Sequence, residues 1–545
     1  MANRQIAMLM GAQAFGKLIN FGLNVAIVRS TGTRLFGASA VPFALLLSTI
    51  QFVSREGIRS ACQRMPISRG GGSTKQQRAQ LSNLVNLSWC VMPAAVVLGV
   101  AAVALMGRSE YEGVDDFERV LAGIGVAAVL ELAAEPAYNL MCVCEKIHVR
   151  AATEAAALTA KCVTTWLCIV WLRLGAHAYV AAQLAYGLVL IVGLYGYVAA
   201  SAMSVSRSDF PARSVWDLMP GAVVDDKKVG VARYVDALAF GEARAFTVQA
   251  AVKHVLTEGD KLVLMLASSA TDHAVYGVVS NLGSLAARLV FEPVESQSRI
   301  QFAKLQPAAQ AAVSAGADSE KEREFVAAYR EGCQAFSVRL KAMVLLGLTV
   351  AVFGPPYSWL LLRLLYGDKY GQQSSAPTVL SWYCGYVLAM GVNGVTEAFR
   401  DCVATKEQLE SRSPVGFTGV MVASCGACSL LAYVAVPRLG AAGIVLANTA
   451  NLCLRICFSC HFIANRVRLP KVGASARDAL VAAVPEPRTL LAFAVAFAML
   501  VHSRQSVGTD PSVAVQAAHV AAGVLCLGAV AATVYVLEWS PRALA

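Results

Sequence analysis

Uninterrupted apolar stretches long enough to cross the roughly 30 Å hydrocarbon core of a bilayer recur along nearly all of this 545-residue chain. In hydrocarbon every backbone N–H and C=O must be satisfied internally, which leaves helices or a closed β-barrel as the only spanning structures. A barrel needs short strands that alternate apolar and polar residues, and that alternation is not seen. The fold class is therefore all-α, a polytopic membrane protein of about fourteen transmembrane helices. Charged residues make up 15% of the chain and hydrophobic residues 57%, against roughly 25% charged in soluble domains. The deficit runs through the whole length, so no separate soluble domain is left to house an enzyme core.

In the first half the spans are expected at Gln5–Val28, Leu35–Ser54, Asn83–Met106, Val120–Val143, Ala151–Leu172 and Ala178–Ala200. In the second half they fall at Thr247–Ala267, Ala274–Gln297, Leu340–Leu362, Val379–Phe399, Val415–Val436 and Ala441–Ala464. Thr489–His502 and Ser512–Glu538 make a final pair. Residues 1–200 then form a first lobe (spans 1–6), 201–245 a cytosolic linker and 246–465 a second lobe (spans 7–12). Residues 466–488 form a cytosolic loop, and 489–545 carry spans 13 and 14 with the C-terminal tail. No basic stub, short apolar run and small-residue cleavage site opens the sequence, so span 1 is expected to be retained.

Charge placement orients these spans. Lys and Arg concentrate in alternate loops, among them Gln63–Ser82 and Asn465–Arg488, while Gly107–Arg119 on the opposite side is acidic. The positive-inside rule then puts both termini in the cytosol. The net charge of +11 is thus a topology signal. No aromatic-interleaved basic patch points to nucleic acid, and no nucleotide-binding element appears.

Arg173–Ala182 reads RLGAHAYVAA and Arg438–Ala447 reads RLGAAGIVLA, identical at six of ten positions at the mouths of spans 6 and 12. Six intervening spans give both copies the same direction, the mark of a parallel repeat about an axis along the membrane normal. A weaker match sets Phe36-Gly37 over Tyr276-Gly277, which carries Arg59 over Arg299. The expectation is two pseudo-symmetric six-helix lobes around a cleft, plus two C-terminal helices.

Polar residues within the spans fall on single helix faces. Span 1 carries Gln13, Lys17, Asn20 and Asn24; span 7 carries His254, Glu258 and Lys261; span 8 carries Asn281, Ser284, Arg288, Glu292 and Glu295, with Pro293 set to kink it. Spans 1 and 7, like 2 and 8, are repeat-mates. Such stripes line a polar cavity between the lobes or form hydrogen-bonded seams within a bundle. Glu131 and Glu135 with Lys161, Asn393 with Glu397 and Arg400, and Asn448 with Asn451 and Arg455 read as pairs inside one lobe. At the cytosolic mouth of span 2, Arg55 and Arg59 lie one turn apart. Planar guanidinium groups grip phosphate oxygens through two bonds, so this pair suits a phosphorylated headgroup, or else an ordinary basic flank on anionic lipid.

The fifteen cysteines sit mostly within spans or near their ends and read as packing residues; none is assigned to a metal, and no cofactor is implied. The run from Arg69 to Lys75 lacks the Gly-Lys-Ser/Thr ending of a phosphate loop and reads as a linker. The Asn86-Leu87-Ser88 sequon falls at the cytosolic end of span 3, out of reach of glycosylation.

Several stretches resemble the Rft family of the endoplasmic reticulum, within the multidrug/oligosaccharidyl-lipid/polysaccharide exporter superfamily. They are Asn20-Phe21-Gly22-Leu23-Asn24 through Arg29, Arg55 to Cys62, Ala134-Glu135-Pro136, Leu256 to Lys261, Tyr276 to Arg288, Phe291 to Glu295, Asn393 to Phe399, and Leu446-Ala447-Asn448 through Arg455-Ile456. They occur in order from about residue 15 to 460. The family usually has Glu-Arg where Asp260-Lys261 stands, which keeps the charge signs, and a second acid where this chain has Ser296.

The resemblance implies an endoplasmic-reticulum address, with membrane lipids and N-glycosylation proteins as surroundings. The substrate it implies is a dolichyl-diphosphate oligosaccharide, moved from the cytosolic to the lumenal leaflet by alternating access. Arg29, Arg55 and Arg59 would meet the diphosphate. Lys17, Asn20, Asn24, Glu258, Lys261, Asn281, Arg288, Glu292 and Glu295 would line the route. Two other readings stay open: a non-transporting lipid-binding protein of the same pathway, and an ion-coupled exporter using Glu292 and Glu295. A dolichol-dependent glycosyltransferase needs an acidic base on the first lumenal loop, and Ser30–Arg34 has none.

Overall fold

The computed structural model describes residues 21–65, 74–107, 111, 114–203, 211–221, 234–303, 320–404, 417–466, 476–507 and 512–539, and the regular structure among them is all helical. Eleven of the described helices are long and apolar enough to cross a membrane, and they fall on expected spans 2–6, 8, 9 and 11–14. The other three expected spans coincide with the shorter apolar helix Phe21–Ser30 and with Ala237–Ala267 and Ala376–Val403. The last two are as long as the rest but more polar. Exposed Val97, Leu105, Leu188, Leu266 and Leu525 give the helices the apolar outer faces that lipid requires.

The chain separates into two compact units, Met1–Ala274 and Val275–Ala545. In the first, Leu46, Ile50, Leu84, Leu87, Leu121, Ile124, Leu132 and Leu140 are fully buried and join spans 2, 3 and 4. Span 7, expected to open the second lobe, packs along span 2 inside this unit. The fit depends on a glycine. A Cβ on Gly57 would lie 2.6 Å from the Thr247 Cα, so the two backbones meet where span 2 has no side chain. A turn and more further along, Thr49 Oγ1 and His254 Nε2 share a 3.0 Å hydrogen bond, and the His254 ring stacks on Phe52 with centroids 5.6 Å apart.

Two spans are broken where proline removes a backbone donor. Span 4 runs as Phe117–Glu131, a 3-10 turn at Leu132–Ala134, then Glu135–Val143 with Pro136 at its start. Span 8 runs as Ala270–Ala286, a π-turn at Ala287–Phe291, then Glu292–Ala303, so the expected effect of Pro293 appears as a π-turn just before it. The linker after span 6 is anchored. A 3-10 turn at Val215–Leu218, capped by Ser214 and Asp217, lies against span 3. There Trp89 Nε1 donates to the Leu218 carbonyl (2.7 Å) and Asn86 Nδ2 to the carbonyls of Gly221 (2.6 Å) and Tyr234 (2.7 Å). The amide of the sequon is therefore used internally.

In the second unit the rings of Phe302, Phe336 and Phe399 tie spans 8, 9 and 10 together, with centroids 4.3 to 6.2 Å apart. Span 9 continues from a long preceding segment as one helix, Glu320–Tyr366. Span 13, expected as Thr489–His502, extends over Pro487–Val507. Its polar end is satisfied by neighbours: Ser503 Oγ bonds His519 Nδ1 at 2.8 Å, and the Arg504 guanidinium lies 4.4 Å over the Trp359 ring. The end of span 14 is pinned by Glu538, which takes Lys341 Nζ (2.8 Å) and the Glu486 backbone N–H (2.7 Å).

Gly57→Ala forces spans 2 and 7 apart, and overpacking of this kind costs about 1–3 kcal/mol. Thermal unfolding of the purified protein should show a clear fall in midpoint. Gly385→Ala in span 10, with nothing within 4 Å of the added carbon, should leave the midpoint unchanged; equal effects for the two would refute the close approach.

Candidate functional site

The densest polar cluster of the first unit joins spans 2, 4 and 6. The span 4 break presents Glu131 and Glu135, both 2% exposed, toward span 2. Arg59 grips Glu135 with two bonds, Nε to Oε2 at 2.8 Å and Nη2 to Oε1 at 2.6 Å, and its guanidinium lies 3.6 Å over the Tyr138 ring. Arg55 stands further off, 3.4 Å from Glu131 and 3.9 Å from Glu135, with a quarter of its side chain exposed. Glu131 also accepts from Gln51 on span 2 and from Gln183 on span 6, and Gln183 in turn accepts from Lys161 on span 5 at 2.7 Å. The expected pairing of Lys161 with the acids thus runs through Gln183. The two arginines, placed together by their spacing, differ in use: Arg59's fork is filled by a carboxylate, whereas Arg55 makes only long contacts.

Span 7 divides its polar face. His254 is buried against span 2, while Lys261 Nζ and Glu258 close on each other at 2.8 Å with both side chains partly exposed. Asn24 is half-buried and Arg29 exposed at the end of the described part of span 1. Gln13, Lys17 and Asn20 lie outside the described residues, as do the Arg288 side chain and most of the run from Arg69 to Lys75.

In the second unit spans 8, 10 and 12 enclose an open cleft of about 350 Å³. Its walls include Phe291, Glu292 and Glu295 of span 8, Asn393 and Glu397 of span 10, and Arg455 of span 12. Arg455 takes both oxygens of Glu397, Nε at 2.9 Å and Nη2 at 2.7 Å, and Arg400 stands 3.6 Å from the same carboxylate. Arg299 holds Glu295 at 2.9 Å and reaches Asp401 at 3.3 Å. Glu397 and Arg400 pair as the spacing on span 10 leads us to expect, whereas Arg455, grouped by spacing with Asn448 and Asn451, crosses from span 12 to Glu397. Asn281, higher on span 8, sits against the Tyr366 hydroxyl of span 9. Among the described residues no three His, Cys, Asp or Glu side chains are grouped to hold a metal ion.

Three contributors were not singled out from the sequence. Gln51 precedes Arg55 and Arg59 at four-residue spacing, a signal that was present. Gln183 is a lone polar residue in an apolar span, and Tyr138 lies one turn beyond Ala134-Glu135-Pro136.

The sequence matches the family described as Rft protein (Rft-1) over residues 2–541. Among curated relatives, "Man(5)GlcNAc(2)-PP-dolichol translocation protein RFT1" of Mus musculus is 29% identical, covering 96% of this chain and 92% of its own length. The protein of the same name from Dictyostelium discoideum is 26% identical, covering 97% and 94%. Among solved structures, the lipid II flippase MurJ in an inward closed conformation superposes with a TM-score of 0.61 at 12% identity, covering 97% of this chain and 99% of that one. An inward-facing MATE-family multidrug resistance transporter of the MOP superfamily gives a TM-score of 0.51 at 12% identity, covering 82% and 96%. At that identity the two structures speak for the fold alone. With the ordered motifs from span 1 to span 12 and a family match running nearly end to end, this chain belongs to the Rft family.

Proposed function

We propose that this protein moves a dolichyl-diphosphate oligosaccharide of the Man5GlcNAc2 type from the cytosolic to the lumenal leaflet of the endoplasmic-reticulum membrane by alternating access. The observation that carries this reading is the near full-length match to relatives named for translocation of that lipid, on a fold shared with a lipid flippase. The physics agrees. A diphosphate and a glycan are too polar to enter hydrocarbon unpaired, so they must travel along side chains that replace water, while the polyprenyl tail remains in lipid. The polar side chains that the sequence sets on spans 1, 7 and 8 are our candidates for that role, and the charge bias of the loops favours cytosolic termini.

Within this reading the arginines have separate tasks. Arg55, with a partly exposed guanidinium and only long contacts to Glu131 and Glu135, is offered to the diphosphate together with Arg29. Arg59 is a positioning residue that fixes span 2 on span 4 through Glu135. Lys17, Asn20, Asn24, Glu258, Lys261, Asn281 and Arg288 belong to the polar route.

Reconstitution into sealed vesicles with a dolichyl-diphosphate oligosaccharide tests the proposal directly. Protein-containing vesicles should equilibrate the lipid between leaflets much faster than protein-free ones. Equal rates would defeat translocation and leave a lipid-binding role in the same pathway. Arg55→Ala should slow transfer by roughly tenfold or more, the scale of losing a charge-assisted bond, with little change in thermal midpoint. Arg59→Ala strands Glu135 as a buried charge and should cost about 3–5 kcal/mol of stability, so its midpoint falls first. A reversed order, with Arg55→Ala unfolding the protein and Arg59→Ala silent in the melt, would refute this division.

A further inference from the structure

Lys253 of span 7 stands apart from the ion-pair networks of both units. It lies six residues inside the expected start of the span at Thr247, which at 1.5 Å per residue is about 9 Å along the helix. Its side chain is exposed, with Nζ 5.8 Å from the centroid of the Phe52 ring. Among the described residues it forms no ion pair. Glu258, the next acid along span 7, is taken by Lys261 at 2.8 Å. Glu56, one turn beyond Phe52 on span 2, makes no ion pair with it, and span 1 carries no Asp or Glu at all. A cation inside a span is costly in hydrocarbon and faces a polar space or a partner that arrives from outside.

The helix face that carries Lys253 is of the first kind. Gln249, Lys253 and Thr257 follow one another at four-residue spacing, and all three are exposed. The apolar outer face of the same helix lies opposite. Val255, Leu262 and Leu266, 67%, 46% and 71% exposed, fall roughly 180–220° round the helix from Lys253. Between the two faces, His254 turns into span 2. Lys253 therefore stands on an open polar surface of the first unit, beside the seam between spans 2 and 7 and turned away from the face that meets lipid. Thr257 Oγ1 donates back to the Lys253 carbonyl at 2.9 Å, so the outward donors of this stripe are the Lys253 ammonium and the Gln249 amide.

The helix pairing sets its depth relative to Arg55. Gly57 meets Thr247 and Thr49 meets His254, so the two helices run in opposite directions and Lys253 sits between one and two turns further in than Arg55. Phe52 lies one turn from Arg55 on span 2, and the ammonium lies over that ring. A surface of cations and an amide, with no carboxylate paired to Lys253, selects an anion. The two cations differ in kind. Arg55 offers a flat fork, whereas Lys253 is a compact point charge on a flexible stem that can follow a moving phosphate.

We infer that Lys253 is an anion ligand inside the membrane, meeting the lipid diphosphate one step inward from Arg55. The inference rests on the proposed substrate and adds a second station to its path.

The test uses the purified full-length protein in phosphatidylcholine nanodiscs, with glycan-free dolichyl diphosphate as the probe. Reductive methylation of lysines, read by mass spectrometry, should fall several-fold at Lys253 when the probe is added and stay constant at Lys146, on the loop between spans 4 and 5. Dolichol without phosphate, or phosphatidylinositol, should leave Lys253 labelling high. Lys253→Gln should slow leaflet transfer of the dolichyl-diphosphate oligosaccharide by roughly tenfold, and Lys253→Arg, which restores the charge, should recover most of that loss. The thermal midpoint of Lys253→Gln should equal the parent's, because no ion pair is removed. Undiminished labelling at saturating dolichyl diphosphate, equal protection by phosphatidylinositol, or a Lys253→Gln protein that transfers at the parent's rate each overturns the assignment. The same assays separate it from the larger reading: transfer with Lys253 unprotected removes this station alone, and protection without transfer removes translocation alone.

Discussion

A carboxylate among membrane helices has to be met by donors from neighbouring helices, and that requirement organises both units of this protein. Glu131 and Glu135 in the first unit and Glu397 in the second are each held by side chains from other spans. Breaking one partner of such a buried pair typically costs about 3–5 kcal/mol, although the intact pair adds little over well-packed apolar residues. The charges therefore act less as glue than as selectors of register. A helix rotated or slid by one turn would strand one of these acids. Apolar contact with lipid or with other helices cannot discriminate in this way, because both environments are equally apolar.

The same logic appears twice. In the first unit the second helix sends Arg59 to the fourth helix at Glu135, and the sixth helix answers Glu131 with Gln183. In the second unit Arg299, which the sequence match sets over Arg59, reaches Asp401 at the end of span 10, and Arg455 of span 12 answers Glu397. The sixth-helix partner is a neutral amide in one unit and a guanidinium in the other. In the first unit Lys161 supplies the cation from behind the glutamine; in the second the positive charge stands in the cleft itself.

Much of this was legible from residue spacing. Length and apolarity located the spans, and helical spacing of polar groups put Glu397 and Arg400 on one face of span 10, while the crossing of Arg455 from span 12 to Glu397 was not legible there. Proline placed the irregularity in span 8. What spacing does not encode is which face meets which helix across hundreds of residues. Span 7 joins span 2 because Gly57 admits the Thr247 backbone and His254 finds Thr49, a fit that depends on shape and leaves no periodic trace. Arg55 and Arg59 looked equivalent for the same reason. Their sequence spacing is that of two residues on one face, yet the break before Pro136 brings Glu135 square to one fork and leaves the other at arm's length. The extension of span 13 was hidden because Ser503 and Arg504 look like the end of a membrane helix until His519 and Trp359 are placed beside them.

The irregular part of span 8 ties these observations to transport. Its upper half is anchored by Val275, Val278 and Val279, all fully buried, whereas the lower half carries Glu292 and Glu295 into the cleft. Between them lies the π-turn Ala287–Phe291, forced where Pro293 offers no N–H to the preceding turn. A helix is least stiff where its hydrogen bonds change register, so the wall bearing the carboxylates is joined to its anchor through the most yielding stretch of the span. Arg299 and Asp401 fasten the far end of that wall to span 10 by charge, and the buried Phe302 ring packs on Phe336 and Phe399 just beyond them. The π-turn therefore lies between two fixed points of span 8, and any movement of the cleft wall has to be taken up there.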